Sequence, residues 1–143
     1  MVQNPSNEVR KGLLEEAKTI AVVGLSNKPD RTSYMIADAM QHAGYRIIPV
    51  NPIIAGETVL GEKVVASLTE IDEQVDIVNV FRKSEDIVPV AEETKKMKHK
   101  PKVFWMQQGI SNDDAAALMS EEGIAVVNDM CIKVDHALLR VGK

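Results

Sequence analysis

The stretch Gly24-Leu25-Ser26-Asn27-Lys28-Pro29-Asp30-Arg31-Thr32-Ser33 follows directly on an apolar run and holds the side chains best suited to chemistry in this sequence. Gly24 permits a tight turn that other residues resist. Thr32 or Ser33 is placed to cap a following helix, whose unpaired N–H groups attract an anion. Ser26 can donate a hydroxyl, Lys28 lies in the same loop, and Arg31 can grip phosphate oxygens in a two-pronged fork. The chemistry these types suggest is phosphate binding. A plain strand-to-helix turn with a capping hydroxyl is the competing reading. The dinucleotide pattern G-x-G-x-x-G is not met, because Ser26 stands where the second glycine belongs and the loop is longer.

Other polar residues follow later apolar runs in the same manner. Asn51-Pro52 follows Val50, and no carboxylate comes before Glu57. Domains that bind NAD usually place Asp or Glu there to accept from the ribose, so Asn51 weakens an NAD reading. Asn51-Pro52 can equally make a turn. Arg82 follows the run ending at Phe81, and Gln107 and Gly109 follow the run ending at Met106. Arg46 instead begins a run, which sends it to the opposite side. Trp105 lies inside an apolar run and reads as core packing. His42, His99 and His136 all fall away from the ends of the runs, and no H-x-x-x-H pair, G-x-S-x-G elbow or P-loop is present. The lone cysteine, Cys131, reads as a small buried hydrophobe beside Asp129. No catalytic or metal-binding constellation is expected.

These residues can meet only if the chain folds so that the ends of the runs gather. Short apolar runs at 19–24, 45–50, 63–65, 75–81, 102–106 and 124–127 alternate with amphipathic or capped segments. The runs are apolar continuously, as in parallel strands covered on both faces. Helices are expected at 8–18, with Val9, Leu13, Leu14 and Ala17 inward, and at 33–43, after Ser84, at 113–122 and at 133–140. Pro89 predicts a broken first turn for the helix that Ser84 caps. Alternation of this kind predicts an α/β domain, Rossmann-like and doubly wound. About six strands in the order 3-2-1-4-5-6 with helices on both faces are expected, in one domain over 1–143. Ligands of such sheets sit beyond the carboxyl ends of the strands, where Gly24, Asn51, Arg82, Gln107 and Gly109 fall.

Composition limits the partners. With 17 Lys+Arg against 21 Asp+Glu, the net charge of −4 leaves no basic footprint for nucleic acid, and 3% aromatic residues leave little to stack bases on. No apolar run approaches the ~20 residues that span a membrane. The polar start, Met1 to Glu8, lacks the apolar stretch of a signal peptide. One cysteine suits a reducing compartment, so a cytoplasmic location is expected.

Taken in order, Val22-Val23-Gly24-Leu25-Ser26, Pro29-Asp30-Arg31-Thr32-Ser33, Gly44-Tyr45, Pro49-Val50-Asn51-Pro52, Phe81-Arg82, Trp105-Met106-Gln107-Gln108-Gly109 and Asn128-Asp129-Met130-Cys131-Ile132 resemble the stand-alone bacterial CoA-binding domain proteins. That family is similar to the N-terminal CoA-binding domain of the succinyl-CoA synthetase alpha subunit. The resemblance runs from about Ala17 to Leu139. It implies CoA or acyl-CoA lying across the carboxyl ends of the strands. It puts pyrophosphate on the loop bearing Gly24, Leu25, Ser26, Lys28, Arg31 and Ser33, and adenosine against Asn51, Pro52 and Arg82. The ligase's second domain, with its phosphorylated histidine, has no counterpart here, so ligase chemistry does not carry over. The expected function is binding of CoA or acyl-CoA without catalysis by this chain alone. The alternatives are an NAD(P)-binding oxidoreductase or redox sensor, and a CoA-responsive subunit that docks on a protein partner.

Overall fold

Thr19–Val23 (β1) is an interior strand, buried along its whole length. It pairs in parallel with Arg46–Val50 (β2) on one side and Ile77–Val80 (β5) on the other. Val103–Met106 (β6) and Ala125–Val127 (β7) extend the sheet beyond β5, giving the order β2-β1-β5-β6-β7. The computed structural model describes residues 3–142. Met1 and Val2 of the polar amino-terminal stretch, and Lys143, lie outside the described residues. The helices are Asn7–Glu16 (α1), Thr32–His42 (α2), Ile87–Lys95 (α3), Asp113–Glu121 (α4) and Ile132–Leu138 (α5). Two apolar layers result. One holds Ala21, Ile48, Val78, Ile87, Phe104 and Met119, and the other Leu14, Ile20, Ile36, Ile47, Ile77 and Trp105. The architecture is the expected Rossmann-like α/β sheet with helices on both faces.

The expected third strand is the exception, and the sheet has five strands rather than six. Thr58–Val59 (β3) and Glu62–Lys63 (β4) form a separate antiparallel ribbon, and only Val65 makes a parallel bridge to Val50. Two features stop this bridge from growing into a strand. Val65 donates to the Pro49 carbonyl and accepts from Asn51 N–H, but Pro49 has no N–H with which to continue the ladder. Val64 is already committed to the ribbon side, bonding Gly56 and Glu57.

Two helix expectations also shift. Helix α1 turns Arg10 inward and leaves Val9 51% exposed. Arg10 is 6% exposed because Asp135 of α5 takes its Nε at 2.8 Å, while Pro5 O and Asn7 Oδ1 take its other nitrogens. A charge so buried requires such partners. Ser84 does not cap α3. It opens a 3-10 turn, Ser84–Asp86, which absorbs the disturbance expected around Pro89, and its hydroxyl instead accepts from Ser111 N–H. Asn112 caps α4, accepting from Ala115 N–H. Trp105 is wholly buried, as expected, and donates Nε1–H to the Met130 carbonyl.

Gly24 follows β1 where the neighbouring strand leaves no room for a side chain. Its N–H bonds the Val50 carbonyl at 2.8 Å, its φ is +85°, and a β-carbon there would stand 2.4 Å from the Phe81 carbonyl oxygen. No side chain fits without parting β1 from β5. Gly24→Ala is therefore expected to lose at least ~2 kcal/mol of stability, the cost of a left-handed alanine before the clash is counted. An unchanged urea midpoint would contradict this.

At the other end of the sheet, Lys18 N–H leaves α1 to bond Asp76, and the Leu14 carbonyl is capped by the buried Tyr45 hydroxyl at 2.5 Å. Burial, with Glu15 nearby, pushes the Tyr45 pKa up to about 12. The raised value favours the protonated phenol in the folded state. The associated stability is complete below pH 10 and is lost as pH rises toward 12. Tyr45→Phe is expected to flatten that alkaline limb in a pH series of denaturation curves. It should also cost about 1–3 kcal/mol at neutral pH, because the Leu14 carbonyl is left unpaired.

Candidate functional site

All strands of the main sheet run the same way, so their carboxyl ends share one face. Gly24, Asn51, Arg82, Gln107 and Asn128 each stand just past a strand end on that face. Gly24 turns the chain into the loop that ends at α2. The loop is braced internally. Ser33, buried at the start of α2, uses its hydroxyl oxygen to accept from Ser26 N–H at 3.0 Å. Ser26 Oγ accepts from Lys28 N–H at 3.0 Å. Arg31, not Thr32 or Ser33, occupies the cap position of α2, and no side chain caps the helix. The first N–H groups of α2 have no intrahelical carbonyl and stay available to a ligand. A hollow of about 410 Å³ opens over them, lined by Ser26, Asp30, Arg31, Thr32 and Ser33.

The β2 end is tied to this loop. Asn51 Nδ2 donates to the Leu25 carbonyl at 3.1 Å, and Asn51 Oδ1 accepts from Ile53 N–H in a side-chain turn. Asn51 therefore makes the turn and also fixes the neighbouring loop. Asn27 donates to Glu57 Oε1 at 3.0 Å, a second tie between the two loops. A second hollow, about 240 Å³, lies between the ends of β1, β2 and β5. Its walls include Val23, Val50, Pro52, Arg82, Pro89 and Val90.

The arginines of this face differ from Arg46 at the opposite one. Arg46, at the amino end of β2, is held by Glu73 at 2.7 Å and by Glu62, as its place at the start of a run predicts. Arg31, Arg82 and Lys28 are exposed and make no ion pair among the described residues. Unpaired cations beside free N–H groups are what an anionic ligand requires.

The remaining sequence-predicted residues divide. Leu25 is fully buried, so only its backbone reaches the face. Gln107 is also buried, and its Oε1 accepts from Asn79 Nδ2 and Ile132 N–H, both at 3.3 Å. Its side chain therefore joins β5, β6 and α5 beneath the face. Gly109, at φ +86°, gives its N–H to Asp129 Oδ1. His42 is exposed on the last turn of α2, His99 is near Asp72, and His136 packs edge-on against Tyr45 at 5.8 Å.

Asn79, beneath the face, is not signalled by the sequence pattern, and Asn128, which the pattern does place past a strand end, has surroundings that the pattern does not disclose. Asn79 is a buried amide within β5, and the only trace it leaves in the sequence is one polar letter in an apolar run. Asn128, beyond β7, has its backbone N–H and carbonyl bonded by the Asn4 side chain, while its own carboxamide atoms are buried without a partner.

Comparison with known proteins accords with this geometry. The chain is 52% identical over 139 residues to the uncharacterized protein YneT of Bacillus subtilis, covering 97% of this chain and all of that one. Among solved structures, "cell-free ID.343" from Thermus thermophilus superposes with a TM-score of 0.88 at 35% identity, over 94% of this chain and 99% of that one. A hypothetical protein from Pyrococcus horikoshii OT3 gives 0.88 at 29% identity, over 98% of each chain. Residues 18–137 match the CoA binding domain family, from the strand that feeds the Gly24 loop to the helix that closes the sheet, and the chain belongs to that family.

Proposed function

We propose that this protein binds coenzyme A, with the pyrophosphate over the Gly24 loop and the adenosine in the hollow beside Pro52. The observation that carries the reading is the pair of unpaired arginines, Arg31 lining the hollow floored by free helix N–H groups and Arg82 lining the hollow beside Pro52, with Lys28 exposed in the loop between Ser26 and Arg31. Phosphate oxygens suit both groups of donors. The Ser26 and Ser33 hydroxyls use their oxygens to brace the loop, and each keeps its proton to donate. Gly24 lets the backbone come close, since a side chain is impossible there. Val23, Val50, Pro52, Pro89 and Val90 offer apolar walls for a flat base, with Arg82 at the edge. Gly109 lies farther along the face, and Gln107 supports it from below.

Among the described residues no histidine accompanies the hydroxyls and thiol of this face. A nucleophile would need a base within hydrogen-bond reach. His42 lies at the far end of α2 and His99 beside Asp72, both away from Ser26, Ser33 and Cys131. The reading is therefore binding of CoA or an acyl-CoA without turnover by this chain.

Calorimetric titration tests the ligand. CoA is expected to bind at micromolar affinity or tighter, ~8 kcal/mol or more, and more tightly than NAD or NADP. Tighter binding of NAD would replace this reading with the nicotinamide one. Arg31→Ala should weaken CoA by about 1.5–3 kcal/mol, and Arg31→Lys should restore only part, because an ammonium lacks the two-pronged geometry. Arg46→Ala, at the amino end of the sheet, should leave affinity unchanged. Incubated with acetyl-CoA, the chain should release free thiol no faster than buffer does. Sustained release abolished by Ser26→Ala or Cys131→Ser would reveal an active site.

A further inference from the structure

We infer that this site discriminates against acyl-CoAs whose acyl group ends in a carboxylate, and accepts CoA itself or an uncharged short acyl thioester. The inference rests on the CoA reading above and concerns the end of the face farthest from the phosphates.

The direction of the ligand follows from the sheet order. On one side of β1 stands a single strand, β2, with the apolar hollow beside Pro52 next to it. On the other side the face crosses β5, β6 and β7. Three strand spacings of ~4.8 Å make ~14 Å from the Gly24 loop to the end of β7. In CoA, the arm from the phosphate oxygen to the sulfur runs through about twelve bonds, roughly four residues of extended chain, or ~14 Å. The compact adenosine fits the short side and the arm fits the long one, which brings the sulfur to the end of β7.

Two hollows, about 420 and 290 Å³, meet at that end and share Asp129 and Met130. The larger is also lined by Ser111, Asp113 and Asn128. Asn128 carries the buried carboxamide with neither Nδ2 nor Oδ1 partnered, an orphaned donor and acceptor at the wall of the larger hollow. The lining of neither hollow includes a lysine or arginine among the described residues. Lys133 is exposed on α5, outside both linings. Asp135, in the smaller hollow, is matched by Arg10. Asp113 and Asp129 have no cation paired with them among the described residues. Asp113 and Asp114 fill the first turn of α4, so the helix end that would draw an anion is already complemented by carboxylates. The phosphate end therefore sets the unpaired Arg31 and Arg82 beside Asp30 and Asp86, whereas the linings at the sulfur end hold unpaired carboxylates and no cation. A terminal carboxylate on the acyl group would be placed against Asp113 and Asp129 with no counter-charge.

The test is calorimetric titration at low salt with CoA, acetyl-CoA, malonyl-CoA and succinyl-CoA. CoA and acetyl-CoA should bind alike, and the two carboxylated thioesters about tenfold more weakly, with the gap narrowing as salt screens the charges. The double variant Asp113→Asn, Asp129→Asn should close most of that gap. Asparagine tolerates the left-handed backbone at position 129, φ +52°, and keeps an acceptor for Gly109 N–H. Asp72→Asn, near the amino end of the sheet, should leave the gap as it is. Equal or tighter binding of succinyl-CoA, with CoA itself bound, overturns the inference alone. A gap that the double variant does not narrow overturns it too. Failure of CoA and all its thioesters to bind overturns the CoA reading, and this inference with it.

Discussion

At the centre of the sheet, β1 and β5 approach so closely that the residue ending β1 has room for hydrogen only. Gly24 stands against the Phe81 carbonyl, Phe81 N–H bonds the Val23 carbonyl, and Gly24 N–H bonds the Val50 carbonyl. Three strand ends are locked by backbone alone, and the chain must leave β1 with a positive φ. That exit sends the loop over the ends of its two neighbours instead of away from them. Asn51 and Arg82, one and two residues beyond β2 and β5, then have no freedom to stand elsewhere. The bond from Ser26 N–H to Ser33 closes the loop onto α2, so the open helix end and the strand ends share one hollow.

Charge is distributed to suit that hollow. Cations engaged in the architecture are paired: Arg10 in the core with Asp135, Arg46 with Glu73, Lys100 with Glu122. Those on the ligand face are left without partners, which costs little while water solvates them and leaves their donors ready for phosphate. Beneath the face the logic reverses. Asn79 and Gln107 are buried and bond each other, the Trp105 carbonyl and Ile132 N–H. Polar groups so placed are tolerated only when paired, and the pairing fixes α5 against β5 and β6.

Much of this was legible in the chain. Continuous apolar runs spaced by helical segments specify a parallel sheet, and in a parallel sheet every strand's carboxyl end lies on one face. It follows that Gly24, Asn51 and Arg82 gather and that Arg46 is excluded, with no knowledge of contacts. The turn at Gly24, the helix that follows it and the buried Trp105 could be read the same way, because each depends on a residue's own conformational or burial preference.

What the sequence did not disclose depends on partners far along the chain. Periodicity placed Val9 inward on α1, yet Arg10 is buried, since Asp135 supplies a counter-charge 125 residues away. The run at 63–65 looks like a strand by composition, but Pro49 lacks the N–H that would pair it. Ser33 has the composition of a cap and serves as a loop brace, because Ser26 N–H comes within 3.0 Å of it. Gln107 has the place of a ligand contact and is held inside by Asn79 and Ile132. The orphaned carboxamide of Asn128 has no signature at all in the letters around it. Local pattern therefore determined the elements and the face on which their ends lie. Tertiary structure decided which polar groups are used up by one another and which are left for a ligand, because hydrogen bonding is a property of pairs and the pairs form only when the chain has closed.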